Sequence, residues 1–303
     1  MVQQAKCERQ TSMQRVLLIS PCRDEARTLA RTIACVEHQS LAPVRWVIVD
    51  DGSSDETLGI LEEAAARIPW LQVVRRSDRG FRKVGGGVVD AFYAGLEATD
   101  VEYDYLAKLD VDLEFGTDYL EGALEYFERD PKLAAISGKV FRREGNRLIE
   151  EFMVDEMVAG QFKLYRRQAF EEIGGFVREV MWDGIDFHHC RMLGWRTASI
   201  EDPQLRIVHL RLMGSSDQSV FRGRVRWGEG QWFMGSTPAY VFASGVFRMR
   251  ERPFVIGGLL IIWGYVLAAL RRRRRYSEPG FRRALRHWQW RRLARVIRNG
   301  SIR

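Results

Sequence analysis

A chain of 303 residues is long enough for one large domain, or for one domain with an appendage. Hydrophobic residues make up 46% of it and charged residues 29%, which are the proportions of a globular protein. The four cysteines form no C-x-x-C pair, which argues against a disulfide framework or a zinc site and favours a reducing compartment; they are Cys7, Cys22, Cys35 and Cys190.

The net charge of +7 is divided unevenly along the chain. Residues 201–303 contain 21 arginines, no lysine and six acidic residues, a balance of +15, whereas residues 1–200 carry −8. An arginine-rich surface attracts anions, so the last third of the chain is expected to meet lipid headgroups, nucleic acid or a phosphorylated substrate.

The order of the predicted elements indicates the fold class. Residues 1–13 have no apolar core and are predicted to be a flexible tail, not a secretory signal. Short apolar runs then alternate with helical patterns; the predicted strands are 15–21, 45–51, 71–75, 105–109 and 133–138, and the predicted helices are 25–38, a segment ending near residue 67, and 88–96. This alternation predicts an α/β fold with a mostly parallel sheet and helices on both faces.

Two carboxylates, Asp110 and Asp112, stand at the end of the fourth predicted strand. Open α/β sheets bind their ligands at the carboxyl ends of the strands. Two carboxylates this close repel each other unless a cation or a proton lies between them, and Mg²⁺ and Mn²⁺ prefer oxygen ligands. The pair therefore predicts a divalent-cation site, although Asp-x-Asp is also a frequent loop pattern.

A glycine-rich basic loop, residues 78–87, follows the third predicted strand. It matches neither a phosphate-binding P-loop nor a dinucleotide fingerprint. Its Arg79, Arg82 and Lys83 suit an anion site, and its glycines equally suit close packing of the chain.

A helix predicted to begin near residue 182 carries two more carboxylates, Asp183 and Asp186. Their i, i+3 spacing puts both near the first turn and on one side of the helix, where acids also complement the helix dipole. His188 and His189 are interpreted as surface or packing residues, and His209, taken alone, as structural.

Five segments occur in a fixed order: Leu18–Glu25, Val49–Thr57, Leu109–Asp112, Tyr165–Phe176 and Trp182–Asp186. Together they resemble the family 2 glycosyltransferases, inverting enzymes of the GT-A fold that use nucleotide-sugar donors. Each segment alone is a weak signal, and five in order are a strong one. The resemblance spans about residues 15–212 and implies a GT-A-like catalytic domain over 14–212. The composition of the rest of the chain, 213–303, predicts an arginine-rich, helical, membrane-associating C-terminal region.

The resemblance also implies a donor site. Asp51 matches the aspartate that hydrogen-bonds the base of the donor, with Pro21, Arg23 and Glu25 nearby. Cys22 and Arg23 depart from the family, which often has a small residue and an aromatic residue at these positions.

The same resemblance implies a cation site beside the donor. Asp110 and Asp112 match the pair that meets a divalent cation (Mg²⁺ or Mn²⁺) and the ribose and diphosphate of the donor. His209 is similar to a late histidine that joins the metal in some GT-A enzymes. Arg82 or Lys83 would help to neutralise the leaving diphosphate.

The catalytic base implied by the resemblance is the aspartate of a Glu-Asp pair that opens a helix. Asp183 takes this position, but Trp182 stands where the family has the glutamate. Asp186 is therefore the alternative base.

The C-terminal region holds an uncharged apolar run, residues 253–270, with arginines at both ends. If this run were a transmembrane helix, one arginine cluster would lie on the outer side of the membrane, against the positive-inside tendency. A re-entrant or interfacial element on the cytoplasmic face of an anionic membrane is therefore favoured over a single transmembrane helix; the third interpretation is a buried helix of a soluble protein.

The resemblance, together with these features, implies a metal-dependent glycosyltransferase that acts on a saccharide or lipid-linked acceptor, in cell-surface polysaccharide, exopolysaccharide or glycolipid synthesis. The alternative is a catalytically inactive family member that acts as a membrane- or nucleic-acid-binding scaffold through its arginine-rich tail. A nucleic-acid partner is not expected, because a nucleic-acid-binding protein has no use for the uncharged apolar run. A nucleotidyltransferase on a similar sheet would release pyrophosphate instead of a nucleoside diphosphate.

Overall fold

The computed structural model of the protein describes residues 14–78, 85–210 and 219–300. The predicted tail and the basic residues Arg79, Arg82 and Lys83 lie outside the described residues. The strands are β1 (Val16–Cys22), β2 (Arg45–Asp50), β3 (Leu71–Arg75), β4 (Tyr105–Leu109), β5 (Leu113–Phe115), β6 (Leu133–Gly138), β7 (Val140–Glu144), β8 (Arg147–Glu150), β9 (Phe162–Arg166), β10 (Arg196–Ile200) and β11 (Ile207–His209). The helices are α1 (Leu29–Glu37), α2 (Thr57–Arg67), α3 (Gly86–Glu97), α4 (Tyr119–Arg129), α5 (Arg167–Glu172), α6 (Trp182–Met192), α7 (Val220–Met234), α8 (Pro238–Arg248), α9 (Ile256–Leu270) and α10 (Phe281–Asn299).

Seven strands form the central sheet, in the order β10-β6-β9-β4-β1-β2-β3. Neighbouring strands are parallel except at β9, which lies antiparallel between β4 and β6. The central strands β1 and β2 are buried along nearly their whole length, as expected for a sheet covered on both faces. The predicted α/β fold is confirmed, and each of the five predicted strands is present to within one residue.

Two packed layers of side chains lie on opposite faces of this sheet. One includes Leu29, Ile33 and Val36 of α1 together with residues of α2 and α4. The other includes Val89 and Phe92 of α3 together with residues of α5 and α6. Burial of these apolar faces is the main term that holds the helices on the sheet.

Three features of the two sheets and their helices differ from the prediction or were not predicted. The helix predicted from Glu25 begins at Leu29, and the residues before it form a turn in which the backbone N–H of Thr28 donates to the Glu25 carbonyl oxygen at 3.0 Å. The reversed direction of β9 was not predicted, and neither was a second sheet with the order β5-β11-β7-β8. Strands this short carry too few residues for a clear alternating pattern.

The last four helices, α7 to α10, make up the C-terminal region. α9 packs on α7 with backbones nearly in contact: a Cβ added at Gly228 would lie 2.0 Å from the carbonyl oxygen of Ile261, and one at Gly264 would lie 2.1 Å from that of Val225. α10 returns to α6, where Trp288 and Phe281 pack on His188. None of the helices in the described ranges is both long enough and apolar enough to cross a membrane.

Candidate active site

Most of the predicted site residues lie along one edge of the central sheet. The parallel strands β1, β2 and β4 are neighbours and end at this edge, so Arg23, Asp51 and Asp110 directly follow three adjacent strands. The parallel register, in which Cys22 is paired with Asp50, brings the first two of these side chains to the same level. The carboxyl edge of such a sheet is where α/β proteins bind ligands.

Several polar side chains surround Asp51 at the end of β2. Arg76 Nη1 lies 3.0 Å from Asp51 Oδ1, and Arg23 Nη1 donates to the Asp51 carbonyl oxygen at 2.8 Å. Arg23 Nη2 also donates to Asp78 Oδ1 at 2.8 Å. Gly52 has a φ of +81°, and a Cβ there would lie 2.5 Å from Asp78 Cα, so this turn requires glycine. Asp51 is thus held in a fixed, largely buried position.

The other described residues predicted to bind a donor are Pro21 and Glu25, on either side of Arg23. Pro21 is part of β1 and pairs with Val49 of β2. Glu25 is buried, and its backbone is fixed by Thr57 at the start of α2. The structure therefore brings Pro21, Arg23, Glu25 and Asp51 together at the ends of β1 and β2.

His209 lies between two carboxylates on the second sheet. Its Nε2 is 3.3 Å from Asp112 Oδ2, and its Nδ1 is 3.2 Å from Glu151 Oε2. Antiparallel pairing of β11 with β5, which follows Asp112, accounts for the first contact. Burial by itself lowers the pKa of the His209 imidazole, but the hydrogen bonds to both carboxylates raise it, to about 10.

Asp110 has a different neighbour, the buried Lys108, whose Nζ lies 2.5 Å from Asp110 Oδ1. Burial raises the pKa of Asp110, and the nearby Asp112 carboxylate raises it further against the lowering effect of Lys108. Lys108 Nζ also donates to the Gly160 carbonyl oxygen at 2.8 Å. Asp110 is therefore tied to the segment that leads into β9.

The donor atoms around Asp112 fit a hard divalent cation. Within the described ranges, no three His, Cys, Asp or Glu side chains are grouped so as to hold a metal ion. However, Mg²⁺ is commonly held by only one or two carboxylates, with substrate phosphates as further ligands. Glu151 Oε1 is buried and accepts no hydrogen bond from a described residue, and a bound cation is one of the partners that can satisfy such an oxygen. Carboxylates and an imidazole are ligands that suit Mg²⁺ or Mn²⁺.

The two carboxylates of α6 have different environments. Asp186 is fully buried: its Oδ2 accepts from Lys163 Nζ at 2.5 Å and from Tyr165 Oη at 2.6 Å, and its Oδ1 accepts from a backbone N–H at 2.6 Å. Asp183 is only partly buried, and Lys163 binds its backbone carbonyl and not its carboxylate. Only Asp183 therefore presents a carboxylate to a ligand, and the geometry does not support Asp186 as the alternative base.

Trp182 lies between two buried lysines. Lys108 Nζ is 5.5 Å and Lys163 Nζ is 5.3 Å from the centre of its ring, within the range of cation–π attraction. The two lysines are directly paired across β4 and β9. The ring that stands in the place of the family's glutamate thus packs against the two cations that anchor Asp110 and Asp186.

Sequence reasoning missed Glu151, Lys108, Lys163 and Gly160. The lysines had a signal, because each stands inside an otherwise apolar strand, where an unpaired charge is costly. Glu151 had none, because its contact with His209 joins residues that are 58 positions apart. His188 and His189 are buried packing residues, and burial lowers the pKa of His188 to about 3.

The chain is similar to known proteins over a large part of its length. Residues 18–174, about half of the chain, match the family described as Glycosyl transferase family 2. Chondroitin synthase of Escherichia coli is 25% identical over 190 residues, which cover 58% of this chain and 26% of that protein. Poly-beta-1,6-N-acetyl-D-glucosamine synthase of Staphylococcus aureus (strain COL) is 21% identical over 235 residues, which cover 71% of this chain and 54% of that protein. The chain thus spans between a quarter and about half of the length of these curated relatives.

Among solved structures, the mannosyltransferase PcManGT from Pyrobaculum calidifontis in complex with GDP-Man and Mn²⁺ has a TM-score of 0.53 at 17% identity. The match covers 94% of this chain and 81% of that chain. At this identity the likeness establishes the fold, which is a GT-A fold.

Proposed function

The chain belongs to glycosyl transferase family 2, and on that premise we propose that it is an inverting glycosyltransferase that moves a sugar from a nucleoside-diphosphate donor to a hydroxyl group. The acceptor is a saccharide or a lipid-linked saccharide, and the product belongs to a cell-surface polysaccharide, an exopolysaccharide or a glycolipid. Two relatives named as polysaccharide synthases support this acceptor class.

One series of contacts carries the proposal. Lys108 Nζ joins Asp110 Oδ1, at 2.5 Å, to the carbonyl oxygen of Gly160, at 2.8 Å. Gly160 in turn lies against Asp183: a Cβ added there would be 3.0 Å from Asp183 Oδ2. The acids assigned to the donor and the accessible acid of α6 are therefore neighbours on one edge of the sheet, as a transfer between two substrates requires.

The donor nucleoside binds at the ends of β1 and β2. Asp51 accepts a hydrogen bond from the base, and Pro21, Arg23 and Glu25 shape the pocket around it. The hydrogen bond from Arg76 fixes the Asp51 carboxylate before the donor arrives, and the one from Arg23 fixes the Asp51 backbone carbonyl, so little rotamer entropy remains to be lost on binding. Arg82 and Lys83 remain predicted partners of the diphosphate.

Asp110, Asp112 and His209 would hold a divalent cation together with the diphosphate of the donor, and Glu151 orients His209 from the other side of its ring. Such a cation, when bound, neutralises the charge that develops on the departing nucleoside diphosphate.

Asp183 takes the proton from the acceptor hydroxyl as that oxygen attacks the anomeric carbon. The bond to the nucleoside diphosphate breaks as the new glycosidic bond forms on the opposite face, so the configuration inverts and no covalent nucleophile is needed.

Donor binding tests the proposal first. The purified chain is melted with UDP-, GDP- and dTDP-sugars, with Mn²⁺ or with EDTA. We expect one donor with Mn²⁺ to raise the melting temperature by about 5 °C at a hundredfold excess over its dissociation constant. Asp112→Asn is expected to lose the shift, and Asp100→Asn, an exposed aspartate on the loop before β4, is expected to keep it.

A cooperative melt with no shift from any donor would overturn the transferase proposal. It would favour an inactive scaffold. The observation that favours this second function is Trp182, which stands where the family has a glutamate. Release of pyrophosphate in place of a nucleoside diphosphate would instead indicate a nucleotidyltransferase.

Gly160→Ala tests the position of Asp183. The added methyl group would lie 3.0 Å from Asp183 Oδ2, so the carboxylate must shift by a few tenths of an ångström. We expect kcat to fall about tenfold with little change in donor KM or melting temperature, because catalysis depends steeply on alignment. The control is Gly59→Ala in α2, where an added Cβ meets nothing within 4 Å. Equal kcat values for the two variants would contradict the assigned position.

A further inference from the structure

The C-terminal helices expose an unusual amount of apolar surface. Of 15 large hydrophobic side chains that are exposed in the described residues, nine lie between Phe242 and Leu270. On α9 they form a stripe with helical spacing, which we call the α9 stripe: Ile256, Leu259, Trp263, Val266 and Leu270. Soluble monomers rarely expose continuous apolar patches, and such patches usually mark an interaction surface.

The opposite face of α9 is occupied by protein. Gly257, Ile261, Gly264 and Ala268 are buried, and Gly264 brings α9 against the backbone of α7, because a Cβ added there would lie 2.1 Å from the Val225 carbonyl oxygen. The helix is therefore held rigidly, with one face on the protein and the α9 stripe turned outward. In an isolated interfacial helix, the face turned away from the membrane is polar and contacts water. In this protein that face of α9 contacts α7 instead.

Positive charge lies at both ends of the α9 stripe. Residues 248–275 contain eight arginines and one acid, Glu251, which already accepts from Arg248 and Arg224. Three more of these arginines pair with acids elsewhere in the chain: Arg252 with Glu144, Arg273 with Glu229 and Arg274 with Glu179. Arg271 and Arg272, directly after α9, are exposed and make no ion pair with a described residue. Two copies of this surface would bring arginines together in either orientation, which disfavours self-association.

We propose that the α9 stripe and the arginines that flank it form a docking surface for an anionic lipid bilayer. α9 lies in the plane of the membrane, with Leu259, Trp263 and Val266 among the acyl chains near the headgroups. The flanking arginines then meet lipid phosphates at a similar depth at both ends. Trp263, at 54% exposure, has the amphipathic ring that is enriched at this depth.

Vesicle flotation of the full chain tests this surface. We expect binding to vesicles that contain phosphatidylglycerol and much weaker binding to phosphatidylcholine alone. Leu259→Glu is expected to weaken binding at least about tenfold. Its matched control is Leu193→Glu, because Leu193 is as exposed as Leu259 (54% against 51%) but lies at the end of α6; this variant is expected to bind as the parent does.

The charge is tested separately. Arg271→Gln/Arg272→Gln is expected to weaken binding to the anionic vesicles about thirtyfold. Arg27→Gln/Arg31→Gln removes the same charge from exposed positions near the start of α1 and is expected to change binding little. If Leu259→Glu does not melt cooperatively, Val266→Glu replaces it.

Three results would overturn the proposal. One is that the parent fails to float with anionic vesicles, and another is that Leu193→Glu weakens binding as much as Leu259→Glu. The third is a stable dimer in sedimentation equilibrium that Leu259→Glu dissociates while vesicle binding is absent, which would assign the stripe to a second copy. None of these results depends on transferase activity, so failure of this proposal is distinguishable from failure of the proposed function.

Discussion

Asp183→Asn is expected to lower kcat by a factor of about 10²–10⁴, the usual contribution of a general base. An amide keeps the size and shape of the carboxylate but cannot take a proton from the acceptor hydroxyl. The surroundings of Asp183 should hardly change, because Lys163 binds its backbone carbonyl and the side chain is only partly buried. Donor affinity and melting temperature should therefore remain close to those of the parent.

The measurement is the rate of nucleoside diphosphate release with the donor found by the melting screen, at saturating donor and acceptor. Asp100→Asn is the matched control, because it makes the same change at the opposite edge of the sheet, before β4. If Asp183→Asn keeps more than a tenth of the parental kcat, the base is another group. A large loss of donor affinity would instead assign Asp183 to binding.

Lys163→Met is expected to lower the free energy of unfolding by about 3–5 kcal/mol at pH 8, the usual cost of breaking a buried ion pair. The variant leaves the fully buried Asp186 carboxylate with Tyr165 as its remaining side-chain donor. It also removes the hydrogen bond from Lys163 to the backbone of Asp183. Lys132→Met, at an exposed position beside β6, is the control and should change stability by less than about 0.5 kcal/mol.

The loss of unfolding free energy in Lys163→Met should depend on pH. Burial already raises the pKa of Asp186, and Lys163 lowers it, so removal of the lysine raises it further. A carboxyl group whose pKa is higher in the folded than in the unfolded state destabilises the fold increasingly as pH rises and ceases to do so once it is protonated. The difference between variant and parent should therefore shrink from pH 8 to pH 5.5.

Urea unfolding of both proteins at the two pH values gives these differences. Subtracting the parental value cancels the contributions of the other titrating groups to the pH dependence. The double variant Lys163→Met/Asp186→Asn removes the stranded charge and should be more stable than Lys163→Met alone at pH 8. A difference that is below 1 kcal/mol and constant with pH would show that Lys163 does not neutralise Asp186.

The sequence was informative where the signal is local. Four of the five predicted strands are apolar runs buried on both faces, whereas β3, at the edge of the sheet, is only partly buried. Polar residues that end such runs, such as Asp51 and Asp110, must reach the carboxyl edge of a parallel sheet, which predicted where the residues proposed to bind the donor lie. The arginine excess of the last third is also readable without a structure.

Tertiary structure decided what depends on residues far apart in sequence. Asp183 and Asp186 share one side of α6, yet only the packing of β9 under the helix buries Asp186 against Lys163 and leaves Asp183 accessible. The contact between His209 and Glu151 requires the second sheet, whose strands are too short to be recognised. Which face of the apolar helix α9 is exposed depends on where α7 packs. A local pattern fixes which residues are apolar or charged, but only the assembled layers decide which of them meet one another and which remain at the surface.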